Sequence, residues 1–592
     1  MRDDNNRRDE ALGLGEAISR RDFLNGALLS TGGMLSGSLS PRELFLQESS
    51  SPGHWSGNTQ DVFAAGHAVR DGVYDDPDLR ASETGEIYDL VIVGGGFSGL
   101  AAAHYFKQAQ GSGGKALVLE NHRMFGGNAR RDEFTVAGRT LYAPQASIVA
   151  QDLPPAFAVP SAVENLFEQL GVRSDDIRIP PEASAFSVFW DERTNGRKPQ
   201  WYPNVMEAPL SEAERKDLME FFGSIMPFYQ NPGWNEELLR LDRFTFKEYV
   251  EKERNWMHLF RLMQPDLAIF FSLPEQVSAA AVYAQFGGGP RPLYCFPGGN
   301  SGFLRYLMKA LIPESLPGGR VASEIIGMEP NLAALDRASN PVRVRLGATA
   351  VRVEHEGKPE LAELVRITYR NHGKIYRLRA RGVIMAGGGY ITRHVVRDLP
   401  SGNHDAYGKF KYAPILQINV ALNNSRALDR AGLNFISSYR DGFGAGLYFY
   451  EKMSPAGLDP ERDPERPNII GMAAPMLYPG LSIVEQTSKG RMEMLETSFK
   501  TYERKIREEL ERLLGPSGFD PKRDIAGIAI SRWGHHGYIF PYSGIYSDGA
   551  VEAARRSYGR IAFAHTDLER FSHMLGAITH GYRAVQDLGY RI

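Results

Sequence analysis

Hydrophobic and polar positions change period near residue 90. The run 89–93 is apolar after its first residue, which is typical of a strand buried on both faces. It passes through a glycine-rich turn into small and apolar residues that favour a helix over 100–110. A second apolar run, 116–120, follows after a short polar break. This order predicts a β-α-β unit within a parallel sheet.

The turn in this unit reads G-x-G-x-x-G, and each glycine has a physical task. Gly94 makes the tight turn, Gly96 lets backbone amides approach a pyrophosphate, and Gly99 lets helix and strand pack closely. Phe97 and Ser98 lie between the second glycine and the helix, whose free N–H groups face the anion. The sequence therefore predicts a dinucleotide-binding turn.

Glu120 completes the pattern, because it ends the second strand 21 residues after Gly99. An acid at this distance accepts a hydrogen bond from a ribose hydroxyl, and it favours a free 2′-hydroxyl over a 2′-phosphate. A glycine-rich turn alone also occurs for packing reasons, but the full order of elements favours a bound nucleotide.

A glycine pair follows the acid at a short distance, and this block resembles the flavin amine oxidoreductase family. There the corresponding segment lies along the pyrophosphate and ribityl chain of FAD. Met124 and Asn128 stand where that family has arginines. The resemblance implies FAD as cofactor and places these residues along it: Asn121, Gly126, Gly127 and Asn128.

Two further segments resemble the same family. The strand 342–353 is similar to the one whose backbone contacts adenine, which implies this role for Val351. The segment 560–567 is similar to the closing strand, and Asp567 stands one residue beyond the family's usual glutamate. The resemblance implies an α/β fold in which a Rossmann-like FAD-binding domain carries a discontinuous, mixed α+β substrate domain.

The motifs recur far apart, so we expect each domain to be built from separate segments. The predicted division is 1–40 as export signal, 41–86 as N-terminal extension, 87–150, 291–400 and 523–592 as FAD-binding domain, and 151–290 and 401–522 as substrate domain.

Three residues are candidates for contact with an amine. Trp533 and Tyr542 lie in a segment that resembles the family's aromatic wall beside the flavin, where rings attract an ammonium group and exclude water. Glu451, amid aromatic residues, could anchor a distal ammonium. The alternatives are ordinary core aromatics and a solvated surface acid.

The segment Ser19–Leu24 matches a twin-arginine export signal, which predicts transport by that translocase and a periplasmic location. The apolar stretch after it is too short and too weakly apolar for a stable membrane span. Cys295, the single cysteine, excludes an internal disulfide, and a net charge of −3 gives no indication of nucleic-acid binding.

Within the family, the closest resemblance is to exported spermidine dehydrogenases. It implies oxidation of a polyamine such as spermidine to 1,3-diaminopropane and 4-aminobutanal, with electrons passing to an unidentified acceptor. It also implies a b-type haem, for which His54 and His67 are candidate ligands. The alternatives are a flavin desaturase or ketosteroid-type dehydrogenase, and a non-catalytic exported electron carrier with flavin or haem.

Overall fold

The computed structural model describes residues 8–14, 54–76, 79–111, 113–151, 161–179, 186–191, 199–230, 235–269, 272–286, 293–453, 463–535, 539–569 and 573–590. The predicted export motif, Ser19–Leu24, lies outside these residues.

The strands are β1 His54–Gly57, β2 Ser82–Val93, β3 Ala116–Leu119, β4 Arg131–Val136, β5 Arg139–Pro144, β6 Ala150–Gln151, β7 Phe186–Trp190, β8 Gln200–Tyr202, β9 Leu293–Tyr294, β10 Val342–Arg345, β11 Ala348–His355, β12 Val365–Asn371, β13 Lys374–Met385, β14 Ile415–Leu422, β15 Ile436–Ser438, β16 Gly446–Phe449, β17 Asn468–Pro475, β18 Ile525–Trp533 and β19 Ile561–Phe563.

The α-helices are α1 Gln60–Arg70, α2 Phe97–Gln110, α3 Ser161–Glu164, α4 Leu166–Gln169, α5 Ser174–Ile177, α6 Glu212–Gln230, α7 Glu236–Leu241, α8 Phe246–Glu248, α9 Leu259–Ile269, α10 Ala279–Phe286, α11 Ser301–Leu311, α12 Ala322–Gly327, α13 Gly389–Val395, α14 Ser401–Lys409, α15 Arg426–Arg430, α16 Ile483–Glu496, α17 Phe499–Leu514, α18 Pro521–Asp524, α19 Ala550–Arg555 and α20 Met574–Asp587.

A seven-stranded sheet forms the first domain. Its order is β10-β3-β2-β13-β12-β11, and β19 also pairs with β13. The strands around β2 are parallel, whereas β11, β12 and β13 are antiparallel. Residues 90–92 of β2 are completely buried, as their apolar run predicts. The predicted β-α-β unit is confirmed and lies at the centre of this sheet.

The helix α2 packs against this sheet through very small side chains. Ala101, Ala102 and Ala103 are completely buried, and α20 lies across the same helix. A Cβ at Gly581 of α20 would come within 2.5 Å of the carbonyl oxygen of Ser98. The chain's last helix therefore lies directly on the first turn of α2.

An eight-stranded sheet forms the second domain, in the order β1-β18-β14-β17-β16-β15-β7-β8. Its strands come from the N-terminal extension, from both predicted substrate segments and, through β18, from the predicted cofactor segment 523–592. One face packs against α17 through aliphatic side chains, including Leu416, Ile418 and Met472. The opposite face carries more polar and aromatic residues than the face toward α17 does.

The N-terminal turn at residues 8–14 also packs on α17. Leu12 is buried, and Arg507 donates a hydrogen bond to its carbonyl oxygen at 3.0 Å. Asp9 pairs with Arg504 at 2.6 Å. Among the residues that the structure describes, no helix is both long and apolar enough to span a bilayer.

The α/β fold predicted from the sequence, in which a Rossmann-like domain carries a second domain of mixed α and β structure, is confirmed by these two sheets. The helix expected over 100–110 is present as α2, which begins three residues earlier, at Phe97. The strand expected over 342–353 is interrupted by a turn between β10 and β11.

Candidate active site

The turn between β2 and α2 uses its glycines in different ways. Gly94 has a φ of +121°, and a Cβ there would lie 2.9 Å from the carbonyl oxygen of Ala386. A Cβ at Gly99 would come within 1.8 Å of the carbonyl oxygen of Gly94. Backbone atoms therefore exclude any side chain at these two positions. Gly96 differs, because the nearest atom to a Cβ there is 3.8 Å away, in Gly127.

The open space at Gly96 lies between two loops. Gly126 donates its N–H to the carbonyl oxygen of Gly95 at 2.8 Å, which ties the second glycine loop to the first. Gly96, Gly127 and Asn128 keep accessible surface at the centre of the domain. A cleft lined by backbone at the start of a helix fits a pyrophosphate group.

Phe97 and Ser98 form the first turn of α2, and both side chains are buried. As first residues of the helix, their N–H groups have no partner within it. They are therefore suitable donors to an anion in the cleft, as the sequence predicts.

Glu120 follows β3 and is 3% exposed. Its carboxylate accepts the N–H of Gly95 at 2.7 Å and the N–H of His122 at 2.8 Å, and it also lies 2.8 Å from Nδ1 of His122. Burial favours the neutral acid, yet the contacts with His122 hold the pKa of Glu120 below its usual range. The carboxylate therefore stays ionised, and its hydrogen bond from Gly95 holds the turn in place. Its remaining lone pairs can accept a hydrogen bond from a ribose hydroxyl. Asn121 beside it is partly exposed.

Val351 lies on the edge strand β11. The pairing with β12 shifts between Ala350 and Arg352, so Val351 has no partner residue in that strand. Its side chain is completely buried. Because of this bulge, the backbone N–H and C=O of Val351 are not part of the ladder with β12. This arrangement suits the contact with adenine that the resemblance implies.

Asp567 lies at the end of the closing segment and is completely buried. It accepts hydrogen bonds from the N–H of Gly389 at 2.7 Å and from the hydroxyl of Tyr412 at 2.5 Å, and it lies 2.6 Å from Nδ1 of His565. The carboxylate joins the loops after β13 and β19. A direct contact with FAD stays a prediction.

Trp533 ends β18 and connects the second sheet to the cofactor cleft. Its Nε1 donates to the carbonyl oxygen of Gln145 at 2.8 Å. The guanidinium of Arg130 lies 5.8 Å from the ring centre, while Nε of Arg130 donates to the carbonyl oxygen of Gly127 at 3.1 Å. The indole is therefore next to the second glycine loop.

Two tyrosines accompany Trp533 on the same face of the sheet. The rings of Tyr448 and Tyr450 are nearly parallel, with centroids 6.5 Å apart. Both pack in the cluster that contains Trp533. Tyr450 and Arg130 keep accessible surface, so open space, here called the cavity, borders this face of the sheet.

A buried polar network orients Tyr450. Asp132 accepts hydrogen bonds from Ser56 at 2.5 Å, from Gln145 at 2.8 Å and from Asn419 at 3.2 Å. The hydroxyl of Tyr450 in turn donates to Asn419 at 3.1 Å. The cavity wall therefore has fixed polar groups beside its aromatic rings.

A second aromatic group lies beside Gly388. The rings of Tyr390 and His535 stack with centroids 4.2 Å apart, and Tyr412 meets Tyr390 edge-on at 5.2 Å. Burial lowers the pKa of His535 to about 3 and raises that of Tyr390 to about 12. Both side chains are therefore neutral at physiological pH.

The structure does not bring Tyr542 to the Trp533 cluster. Its ring packs against a different part of the core, and its hydroxyl donates to the carbonyl oxygen of Lys409 at 2.9 Å, at the end of α14. Glu451 lies in a turn after β16 and accepts a hydrogen bond from Ser425 at 3.3 Å, beyond the end of β14.

The candidate haem ligands lie near the N-terminal extension. His67 is on the exposed side of α1, with its ring 6.4 Å from that of Phe63. Partial loss of hydration and the nearby positive charge of Arg70 lower the pKa of His67. The backbone of His54 begins β1, and its side chain lies outside the description. No cluster of three metal-binding side chains occurs among the residues with described positions.

Sequence reasoning missed Asp132 and Asn419 of the cavity wall, and it also missed Tyr390 of the separate aromatic group. One signal for Asn419 exists in the sequence: Gln417 and Asn419 interrupt an apolar strand at alternate positions and must share a face. Asp132 shows no such signal, because its three donors come from distant segments.

The model of the flavin-containing amine oxidoreductase family matches residues 97–589. The chain belongs to this family. It is accordingly a flavin-dependent amine oxidoreductase, and the cleft at Gly96 fits FAD. No individually curated sequence shows significant similarity to the chain.

Several solved structures share the fold at low sequence identity. Putrescine oxidase in complex with putrescine has 16% identity and a TM-score of 0.55, covering 86% of this chain and 100% of its own. Cyclohexylamine oxidase from Brevibacterium oxydans has 15% identity and a TM-score of 0.56, covering 85% and 98%. A fatty acid isomerase from P. acnes has 12% identity and a TM-score of 0.55, covering 84% and 98%.

The two kinds of glycine make a testable contrast. Gly96→Ala should keep the fold and weaken FAD binding, because its Cβ enters only the open cleft. Gly99→Ala should destabilise the protein itself, because its Cβ overlaps the backbone of Gly94. Flavin content after gel filtration and the Tm of the flavin-free protein distinguish these effects. Full flavin content in Gly96→Ala and Gly96→Val would contradict the assigned cleft.

Proposed function

We propose that this flavoprotein is a dehydrogenase that oxidises a polyamine such as spermidine at a C–N bond. The observation that carries the proposal is the cavity where Trp533 and Tyr450 meet the second glycine loop. FAD, when bound, supplies the acceptor for a hydride from the carbon beside the substrate nitrogen, at its N5 atom. The resulting imine hydrolyses, and spermidine would give 1,3-diaminopropane and 4-aminobutanal.

The chain's own residues prepare the amine for this step. The rings of Trp533, Tyr448 and Tyr450 exclude water and attract a positively charged or polarised nitrogen. The hydroxyl of Tyr450 is held by Asn419, so the wall keeps one geometry as the substrate enters. Neutral His535, whose pKa burial lowers to about 3, cannot repel an ammonium group.

The alternative is a flavin desaturase or a ketosteroid-type dehydrogenase, whose substrate needs an apolar tunnel. The fold does not distinguish them, since a fatty acid isomerase shares it to the same extent as the amine oxidases. The cavity face carries Gln417, Asn419 and Ser531 among its aromatic residues. Gln417 and Asn419 hydrogen-bond the hydroxyl of Tyr450, and this polar environment favours an amine over an apolar substrate.

Anaerobic mixing with amines tests the proposed function. We expect spermidine to bleach the flavin absorbance of the purified protein within seconds, whereas a steroid ketone or a fatty acid should leave it unchanged. Product analysis should give 1,3-diaminopropane. A protein that binds FAD but is reduced by no amine would contradict the proposal: reduction by a steroid ketone or a fatty acid would then favour the first alternative, and reduction by none of these compounds would favour the non-catalytic electron carrier.

We further propose export by the twin-arginine translocase to the periplasm. The motif Ser19–Leu24 supports it, and this route carries folded proteins with their cofactors. Replacing both Arg20 and Arg21 by lysine should retain flavin-loaded protein in the cytoplasm, as measured by fractionation and activity. Unchanged periplasmic activity would contradict the proposal.

A b-type haem that relays electrons from flavin to the unidentified acceptor completes the proposal. Its support is the resemblance and the position of α1, which packs on α13 beside the cofactor domain. If His54 or His67 is an axial ligand, the protein has a Soret band that spermidine reduces without oxygen. His54→Ala or His67→Ala should shift this band and leave flavin bound. A haem-free wild-type protein would exclude the relay.

A further inference from the structure

Arg532 lies on the face of β18 opposite to Trp533, because side chains alternate along a strand. The carbon of its guanidinium lies 4.2 Å from the centre of the Trp55 ring. Trp55 itself packs edge-on against Phe499 and Tyr502 of α17, with ring centroids 5.5 Å and 6.1 Å apart. Arg532 is therefore on the α17 side of the eight-stranded sheet, away from the cavity.

A second arginine, Arg491 of α16, reaches the same place. A Cβ at Gly534, two positions after Arg532, would lie 3.6 Å from Cγ of Arg491 and 3.6 Å from the ring of Phe63. The guanidinium carbon of Arg532 lies 5.6 Å from the centre of this same ring. Phe63 of α1 is therefore beside both arginines, where α1, α16 and the end of β18 meet.

Arg532 is buried without an acceptor for its N–H groups. Its side chain is 8% exposed, and its Nε has no hydrogen-bond partner among the residues that the structure describes. The rings of Trp55 and Phe63 attract the positive charge, but they do not replace a hydrogen-bond acceptor in the plane of the guanidinium. A buried donor without a partner is unfavourable, so Arg532 requires an acceptor that the described residues do not supply.

No carboxylate in the described part of the chain neutralises the two arginines. Arg491 forms one long hydrogen bond, from Nη2 to the hydroxyl of Ser488 at 3.5 Å. Burial lowers the pKa of both arginines, and the charge of Arg70 lowers that of Arg491 further. The acid next to Arg70 is already used, because Asp71 pairs with Arg70 at 2.7 Å. Two partly dehydrated cations therefore share this place without a counter-charge.

An oxyanion would meet both requirements. Carboxylate and phosphate oxygens accept hydrogen bonds in the plane of a guanidinium, often two at once, and they bring negative charge. We propose that Arg532 and Arg491 form a second ligand site, outside the cavity, that binds the carboxylate or phosphate group of an anionic ligand. The burial of Arg532 limits competition from water and so strengthens this contact. The site is separate from amine oxidation and binds its ligand whether or not an amine reacts.

Calorimetric titration of the purified, flavin-loaded protein with sodium phosphate tests this site, because bound FAD already fills the cleft at Gly96. We expect saturable one-to-one binding that sodium chloride of equal ionic strength does not produce. Arg532→Gln and Arg491→Gln should each raise the Kd for phosphate about 10- to 100-fold, as expected for lost hydrogen bonds to a charged group. Arg532→Lys keeps the charge but loses the planar fork, so its Kd should lie between those of the parent and Arg532→Gln.

A parallel titration with sodium succinate distinguishes the two kinds of ligand. Tighter binding of succinate than of phosphate would identify a carboxylate as the bound group, and the reverse order would identify a phosphate. Either result supports the site, provided that the arginine variants weaken the binding.

Arg173→Gln makes the same chemical change at a side chain that is 80% exposed, and it is the matched control. Its Kd should equal that of the parent. The proposal would be overturned if the parent bound neither ion saturably, if Arg173→Gln lost as much affinity as the site variants, or if both site variants kept the parental Kd. If Arg532→Gln does not fold, Arg491→Gln decides, and an unchanged Kd in that variant then contradicts the proposal.

Discussion

The buried carboxylate of Asp132 is the contact on which the site depends. It lies on β4, directly after the second glycine loop, and accepts hydrogen bonds from Ser56 and Asn419 of the other sheet. A buried carboxylate held by three hydrogen-bond donors tolerates little displacement, because each lost hydrogen bond leaves a buried polar group unsatisfied. This network therefore fixes the distance between the cofactor cleft and the substrate wall.

The seven-stranded and the eight-stranded sheets contribute different kinds of groups to the site. The seven-stranded sheet supplies backbone groups and free space, as the turn at Gly96 illustrates. The eight-stranded sheet supplies side chains, with aliphatic residues toward α17 and aromatic and polar residues toward the cavity. The alternation of side chains along each strand makes this division possible within a single layer. Tyr450 and Trp533 therefore reach the cleft without weakening the apolar core behind them.

The predictions succeeded where one short segment contains all that is needed. The turn around Gly94–Gly99 is local, and its glycines are required by backbone contacts within a few residues or with the adjacent strand. Predictions from isolated residues fared differently. Tyr542 follows Trp533 by nine positions in the sequence, yet its hydroxyl lies at the end of α14. Local aromatic clustering predicts burial, and it does not predict which cavity the rings line.

The sequence by itself determined the cofactor turn, the α/β architecture and the family, because strand, glycines, helix and acid follow one another within a single folding unit. Only the tertiary structure decided which groups line the cavity. Asn419 lies on β14 and Tyr450 follows β16, and the pairing of both strands with β17 brings the two side chains into hydrogen-bond contact. This contact depends on which strands pair, and strand pairing cannot be read from the order of residues along the chain.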